Sequence, residues 1–337
     1  GLADNIFVVK NIIFSSIAIF IMIFISTFNE KKVIITAFAG FVVFLILMVL
    51  VLFFGSNAKG ATRWIYVAGF SLQPSEFMKP LFVLVISYVL TNFKKDEGLN
   101  LVVAILFYTI IAILLVLQPD IGMLVLISVV FFVELFLDML PIKYFIWLAI
   151  FCVVVFAILY LTFPHFNARI NDFLKGAIMG KEKSYQITKS LDSFKNGGFM
   201  GKGPMEGSIK NHLPDAHTDF IFAVIAEEFG AFMCIIIISI FFYISLRSSL
   251  KTVGRINNFR YVAINSLVLL FLFQSIINIG VTMNILPTKG MTLPLISYGG
   301  SSMFGIAITM GYILALSRRD FSGVMPRSED ILLGIRK

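Results

Sequence analysis

The chain has 337 residues, 59% of them hydrophobic and 14% charged, and its mean hydropathy is +0.96. A soluble domain is about 45 to 50% apolar and about 25% charged, so a water-soluble fold is excluded; 37 Phe beside 24 Gly and 10 Pro also exclude a disordered or collagen-like chain. The formal charge of +8 then points to anionic lipid as the polyanion met, not nucleic acid.

A bilayer core of roughly 30 Å needs about 20 apolar residues in helical form, with every backbone group paired. Nine segments qualify, near residues 12–28, 33–54, 77–93, 99–117, 121–137, 144–163, 220–246, 261–286 and 297–317. The predicted fold is an all-α polytopic membrane protein, one domain over residues 1–337, with one long polar loop at 164–218. The two cysteines, Cys152 and Cys234, lie in apolar runs and indicate neither a disulfide framework nor a zinc site.

With the long loop set aside, fourteen Lys and Arg fall on one side of the membrane and five on the other. The positive-inside rule therefore puts the Arg318-Arg319 end in the cytoplasm and the 164–218 loop outside. Nine crossings then start Gly1 outside the cell with neither a signal peptide nor Met, from which an upstream helix is expected to be missing. No inverted internal repeat of the transporter kind is visible.

Taken in chain order, the outward connections carry the polar chemistry. The first reads Gly60-Ala-Thr-Arg63-Trp64 and then Gln73-Pro-Ser-Glu76-Phe-Met-Lys79. Glu76 and Lys79, three apart, share a face in the first turn of a helix. They are either a helix start, with Glu76 at the positive end of the dipole, or a pair aimed at a cavity that takes an anion. Arg63 beside Trp64 also reads as an interfacial anchor. Asp120, in Gln118-Pro-Asp-Ile-Gly122, suits an N-cap and falls at the same depth as Glu76.

The long loop holds Gly197-Gly-Phe-Met-Gly201-Lys202-Gly203 and Lys210. A phosphate loop would need Gly where Asn196 stands, so the Walker pattern fails, leaving a basic, glycine-rich lining for a lipid pyrophosphate as one reading. His165, His212 and His217 all lie in this loop, but without a helical pair or a spaced carboxylate they read as solvated histidines, not metal ligands.

Asp219 stands where the loop becomes apolar helix and suits a cap. Glu227, eight residues on, is about 80° round that helix and roughly 12 Å deeper, and Glu228 points nearly opposite Asp219. Any partner of Asp219 must therefore come from another helix. Glu227 and Glu228 inside a crossing imply an interior polar network or hydrated cavity. The last outward connection, Pro287-Thr-Lys289-Gly-Met-Thr-Leu-Pro294-Leu-Ile-Ser297-Tyr-Gly-Gly-Ser301-Ser302, combines small residues for close packing with backbone amides that suit an anion.

These strings, in order and across nearly the whole chain, resemble the SEDS family (shape, elongation, division and sporulation) of polytopic membrane glycosyltransferases. The Pro287 to Ser302 run looks like its division branch. The resemblance implies ten crossings, the first absent here, and polymerisation of lipid II into peptidoglycan glycan strands at the outer face of the bacterial cytoplasmic (inner) membrane, at the division site. It implies an inverting attack with Asp219 as base. Lys79, steered by Glu76, is then the first choice for the cation near pyrophosphate or for organising Asp219. Arg63, Lys210 and Lys289 are further substrate-binding cations, Ser297, Ser301 and Ser302 shape the cleft, and Asp120, Glu227, Glu228 and His217 give support.

The implied partners are lipid II, a class B penicillin-binding protein transpeptidase, other divisome membrane proteins and membrane lipids. No cofactor is implied with certainty, and a divalent cation, Mg or Mn, on the pyrophosphate stays open because no ligand set is visible. A lipid II flippase and a non-catalytic divisome scaffold are the alternatives. Flipping needs polar groups through the full bilayer depth, whereas here the charges concentrate at the outer face, with Glu227 and Glu228 as the exception.

Overall fold

The computed structural model describes residues 2–138, 185–252 and 258–318, less 59–60, 68–69 and 93–96, with scattered positions between 146 and 174. Its helices are α1 (Leu2–Ser26), α2 (Glu30–Phe54), α3 (Pro74–Asn92), α4 (Glu97–Leu117), α5 (Ile121–Asp138), α6 (Tyr185–Gly197), α7 (Ile221–Leu250), α8 (Asn258–Thr282) and α9 (Gly300–Ser317). Eight of the nine predicted crossings are among them. Seven are long and apolar enough to span a membrane, and α5 contributes the shorter apolar run Ile121–Leu137. The remaining predicted crossing, 144–163, lies largely outside the described residues, as does His165.

Local chemistry sets the helix starts. Asn29 caps α2 by accepting from Lys32 N at 2.9 Å, with Glu30 in the first turn. Pro74 opens α3, where a missing N–H costs nothing. The crossing predicted from residue 297 begins as helix only at Gly300; residues 283–299 run as turns and irregular backbone, with Pro287 and Pro294 in their course.

Burial separates the central helices from those facing lipid. Over its apolar window 89% of α3 is buried, against 11% for α1 and 22% each for α2 and α7. Helix α3 packs against α2, α5, α8 and α9, and Phe82, Leu84, Ile86 and Phe131 of α3 and α5 are almost wholly enclosed. The outward faces of α1, α2 and α7 display Phe20, Phe24, Phe53, Phe232 and Phe242, as helices solvated by acyl chains should.

Two connections are more ordered than expected. Residues 56–72, in a chain predicted to be all-α, form a small antiparallel sheet of β1 (Ser56–Ala58), β2 (Ala61–Val67) and β3 (Phe70–Leu72), with Ser56 opposite Trp64 and Ile65 opposite Leu72. The second is the end of the long loop. Amphipathic α6 lays Ile187 against Leu213, Ala216, Phe220, Ala223 and Val281 in a small apolar cluster, and Ser190 Oγ donates to Thr282 O at 2.7 Å.

Helix α7 is broken at Gly230, whose φ of 76° and ψ of 179° no other residue adopts without strain. The glycine-rich run packs onto this break. Lys202 N donates to Glu227 O and Gly203 N to Glu228 O, each at 3.0 Å, while Ala231 N donates back to Gly198 O at 3.0 Å and Phe232 N to Phe199 O at 3.1 Å. A Cβ at Gly197 would stand 1.9 Å from Ala226 O and one at Gly201 2.2 Å from Glu228 O. The glycines permit backbone-to-backbone approach. The amides of Lys202 and Gly203 are spent on α7, so these two do not face a phosphate.

Candidate active site

The polar residues singled out from separate connections converge at one end of the bundle. On α3, Lys79 is 2% exposed and its Nζ lies 2.8 Å from Glu76 Oε2, so the pair is an enclosed ion pair and not a surface one. Lys79 Nζ also donates to Gln274 Oε1 of α8 at 2.8 Å. Gln274 in turn donates from Nε2 to Thr292 O at 3.2 Å. One turn further along α8, Asn278 Nδ2 donates to Met291 O at 2.5 Å and to Asp219 O at 2.9 Å. These two amides, on one face at i and i+4, thus tie the ion pair, the 289–292 segment and Asp219 together.

Asp219 is half-buried at the end of a tight turn in which Asp215 O accepts from the backbone N–H groups of Thr218, Asp219 and Phe220 at 3.1 to 3.3 Å. The 287–299 loop straps this turn: Ser297 Oγ donates to Thr218 O at 2.5 Å and Tyr298 N to His217 O at 2.9 Å. A Cβ at Gly290 would stand 3.0 Å from Asp219 Oδ2, so the carboxylate rests against the bare face of that glycine.

Strand β2 brings Arg63 onto the turn between α4 and α5. Its Nη1 is 3.5 Å from Asp120 Oδ1, its Nε donates to Gln118 O at 3.3 Å, and its Nη2 donates to Pro119 O. Asp120 also caps α5, accepting from Met123 N at 3.2 Å, and receives Gln73 Nε2 at 3.4 Å. Lys289 reaches the same place from the other side. It is half-buried overall, but its Nζ is shut from solvent and has no hydrogen-bond partner among the described residues. Burial pushes the Lys289 amine down to about 7; Asp120 opposes this most, Lys79 and Arg63 add to it, and Glu76 opposes it.

The arrangement sets the Asp219 carboxylate in a strapped turn at one end of the bundle, in the same cluster as the buried Lys79, the enclosed Lys289 amine and the half-buried Arg63. That is the equipment for withdrawing a proton from a hydroxyl while an anionic leaving group is held.

The Cell cycle protein family model (FtsW, RodA, SpoVE) matches residues 2–321. The chain belongs to the FtsW/RodA/SpoVE family. It is similar to the probable peptidoglycan glycosyltransferase FtsW of Caulobacter vibrioides, at 38% identity over 93% of this chain and 80% of that one. It is also similar to the FtsW so named from Buchnera aphidicola subsp. Schizaphis graminum, at 34% identity over 94% and 92%.

Among solved structures it resembles a chain of a peptidoglycan synthase complex that coordinates polymerization and crosslinking, with a TM-score of 0.78 and 22% identity over 94% of this chain and 91% of that one. The RodA rod shape determining protein of Thermus thermophilus follows at 0.69 and 21%, over 93% and 87%. Both likenesses concern the fold.

In this FtsW/RodA/SpoVE chain the remaining sequence-predicted residues have plain positions. Ser301 Oγ donates to Ser71 O at 3.1 Å and accepts from Gln73 N at 3.0 Å, joining β3 to α9; Ser302 Oγ is bonded to Thr292 Oγ1. Lys210 Nζ is 2.6 Å from Glu228 Oε1. Glu227, 0% exposed, accepts from Ser208 N at 3.1 Å and Ile209 N at 3.2 Å, with Lys202 Nζ at 3.8 Å. The polar network expected around these two acids is thus made of loop amides and lysines. His217 and His212 are exposed, and no group of three or more metal-ligating side chains occurs among the described residues.

Gln73, Gln274, Asn278 and Thr292 join the site without a sequence signal of their own, because a lone amide or hydroxyl near an apolar run says nothing until its partners are known. Glu134 is a third acid inside a crossing. It is 0% exposed on α5 and accepts from Ser87 Oγ of α3.

Proposed function

We infer that this chain is a peptidoglycan glycosyltransferase that polymerises lipid II at the outer face of the cytoplasmic membrane, and that it works at the division site. The observation that carries the reading is the convergence of Asp219, the Glu76–Lys79 pair and Lys289 in one strapped cluster. The names of its relatives and the family it belongs to supply the reaction class.

Asp219 accepts the proton of the acceptor's 4-hydroxyl as that oxygen bonds to the donor's anomeric carbon. The bond from that carbon to the pyrophosphate oxygen breaks on the opposite face, its electron pair leaves with the lipid pyrophosphate, and the configuration inverts. Lys79, enclosed by Glu76 and Gln274, organises the loop against which Asp219 rests. Arg63 and Asp120 fix the neighbouring rim, and Ser297, Ser301 and Ser302 hold the wall of the cleft.

A class B penicillin-binding protein is the proposed partner, supported by the fold shared with a synthase complex that both polymerises and crosslinks. Other divisome membrane proteins and the surrounding lipids complete the setting, with the Arg318-Arg319 end in the cytoplasm.

The test is reconstitution of the chain with that partner in liposomes carrying labelled lipid II, native against Asp219→Asn. A loss of glycan polymer by about 10²- to 10⁴-fold is expected for removal of a general base. Equal polymer from both sinks the assignment. Lipid scrambling that persists while polymer vanishes would establish a second, flippase activity.

A further inference from the structure

The cations of the site differ in what they already hold. Lys79 has Glu76 and Gln274, Arg63 has Asp120 and two carbonyls, and Lys210 has Glu228 and Met205 O. Lys289 Nζ alone among these is buried with no acceptor among the described residues. An ammonium shut from water without an acceptor is costly, so the group either gives up its proton or takes an anion.

Its resting place is equally particular. The side chain lies across Gly122 in the first turn of α5, where a Cβ would stand 1.6 Å from Cε, 1.9 Å from Cδ and 2.2 Å from Nζ. The next residue, Gly290, carries the Asp219 carboxylate on its bare face. One dipeptide therefore touches both the proposed base and an uncommitted cation.

We propose that Lys289 is the ammonium that receives the pyrophosphate of the lipid-linked donor, parked over Gly122 until that anion arrives. The proposal rests on the glycosyltransferase reading and names the ligand of its leaving group. The charged groups around Lys289 are Asp120 at the α4–α5 turn, Glu76 and Lys79 on α3, and Arg63 on β2, which together set its proton affinity. With the amine at about 7, burial first among the causes, part of the empty protein lacks this charge at neutral pH. A bound dianion favours the protonated form, so binding draws a proton from solvent. Affinity is then greatest below about pH 7 and declines as pH rises through it, by up to about tenfold per unit.

The experiment measures binding of labelled lipid II to the full chain in nanodiscs between pH 6 and pH 8.5, with inorganic pyrophosphate as competitor. Four proteins are compared: native, Lys289→Met, Lys289→Arg and Gly122→Ala. Native protein should show the decline. Lys289→Met should bind at least about tenfold more weakly at pH 6 with the slope gone, and Lys289→Arg, always charged, should bind without the slope. Gly122→Ala keeps the lysine but evicts it from its rest, and should shift the midpoint of the decline upward as the amine regains water. Thermal unfolding confirms that each variant is folded.

Native affinity and slope retained in Lys289→Met overturn the proposal, as does a slope retained in Lys289→Arg. If that happens while Asp219→Asn still abolishes polymer, the glycosyltransferase reading stands without Lys289. If the slope behaves as expected but native protein makes no polymer with its partner, the reaction is wrong and the anion site remains.

Discussion

Gln274 Oε1 accepts the Lys79 ammonium at 2.8 Å while its Nε2 donates to Thr292 O at 3.2 Å, so one amide on α8 couples the buried ion pair to the loop beside Asp219. Replacement by Leu would leave Lys79 with Glu76 alone and Thr292 O without its donor. A hydrogen bond to a charged group contributes about 1.5 to 3 kcal/mol, so Gln274→Leu is expected to destabilise the chain by on the order of 2 to 4 kcal/mol and to lower the polymerisation rate. Thermal unfolding in detergent and the lipid II assay read the two effects. Native values in both would mean that the coupling is idle.

The ion pair itself should behave as a unit. Glu76→Gln strands a buried ammonium and Lys79→Met a buried carboxylate, each costing about 3 to 5 kcal/mol, whereas the double variant leaves neither charge. A double-mutant cycle is therefore expected to be strongly non-additive, with the double variant more stable than the sum of the singles requires. Additive losses would show that the two side chains do not depend on each other.

Gly290 offers a more delicate intervention at the proposed base. Alanine there would place Cβ 3.0 Å from Asp219 Oδ2, and the carboxylate must give by a few tenths of an ångström. Because a misplacement of about 1 Å can cost about 10²-fold in rate, Gly290→Ala is expected to lower kcat by roughly three- to thirtyfold while leaving lipid II affinity close to native. A change in affinity with kcat intact would place the glycine at the binding step and Asp219 elsewhere.

How much of this could be read from the sequence depended on whether a signal was local. Hydrophobic runs gave eight described crossings, with boundaries within a few residues except at the start of α1, which lies at Leu2 and not near residue 12, because a bilayer imposes length and apolarity on each helix separately. The Glu76–Lys79 pair was legible from its i, i+3 spacing. The bonds from Gln274 and Asn278 were not, since their partners at 79, 219, 291 and 292 are brought to them only by packing. The glycine-rich run was half legible for a related reason: Gly beside Lys signals close backbone approach, and only the fold tells that the backbone approached is that of α7. Glu134 carries the same local signal as Glu227, an acid inside an apolar crossing; the Ser87 hydroxyl that faces it is brought there only by packing.

Glu227 tests how the end of the long loop is held down. Its carboxylate accepts the amides of Ser208 and Ile209 at 3.1 and 3.2 Å. Alanine would leave both without an acceptor, at about 1 to 3 kcal/mol for each buried donor; glutamine keeps one acceptor oxygen and should cost less. Amide exchange at residues 208 and 209 should accelerate in the order native, Glu227→Gln, Glu227→Ala. Unchanged exchange in Glu227→Ala would mean that the loop is secured elsewhere.

Gly230 is a position where both conformation and space require glycine. Its φ of 76° with ψ of 179° is a backbone region that belongs essentially to glycine, with a strain of about 1 to 3 kcal/mol for other residues. A Cβ there would also stand 2.3 Å from Phe199 O and 2.4 Å from Gly201 N, both backbone atoms that cannot turn aside. Gly230→Ala must therefore straighten α7 or push away the 197–203 run, and either movement breaks the bonds from Lys202, Gly203, Ala231 and Phe232 across the kink. The expected outcome is a loss of stability of more than about 3 kcal/mol, together with faster proteolysis within 197–210. By contrast, Gly198→Ala has open space at its Cβ and only its own φ of 55° to oppose it, so it should cost about 1 kcal/mol. Equal stability losses at 198 and 230 would mean that backbone strain alone, and not the close approach of loop to helix, makes these glycines necessary.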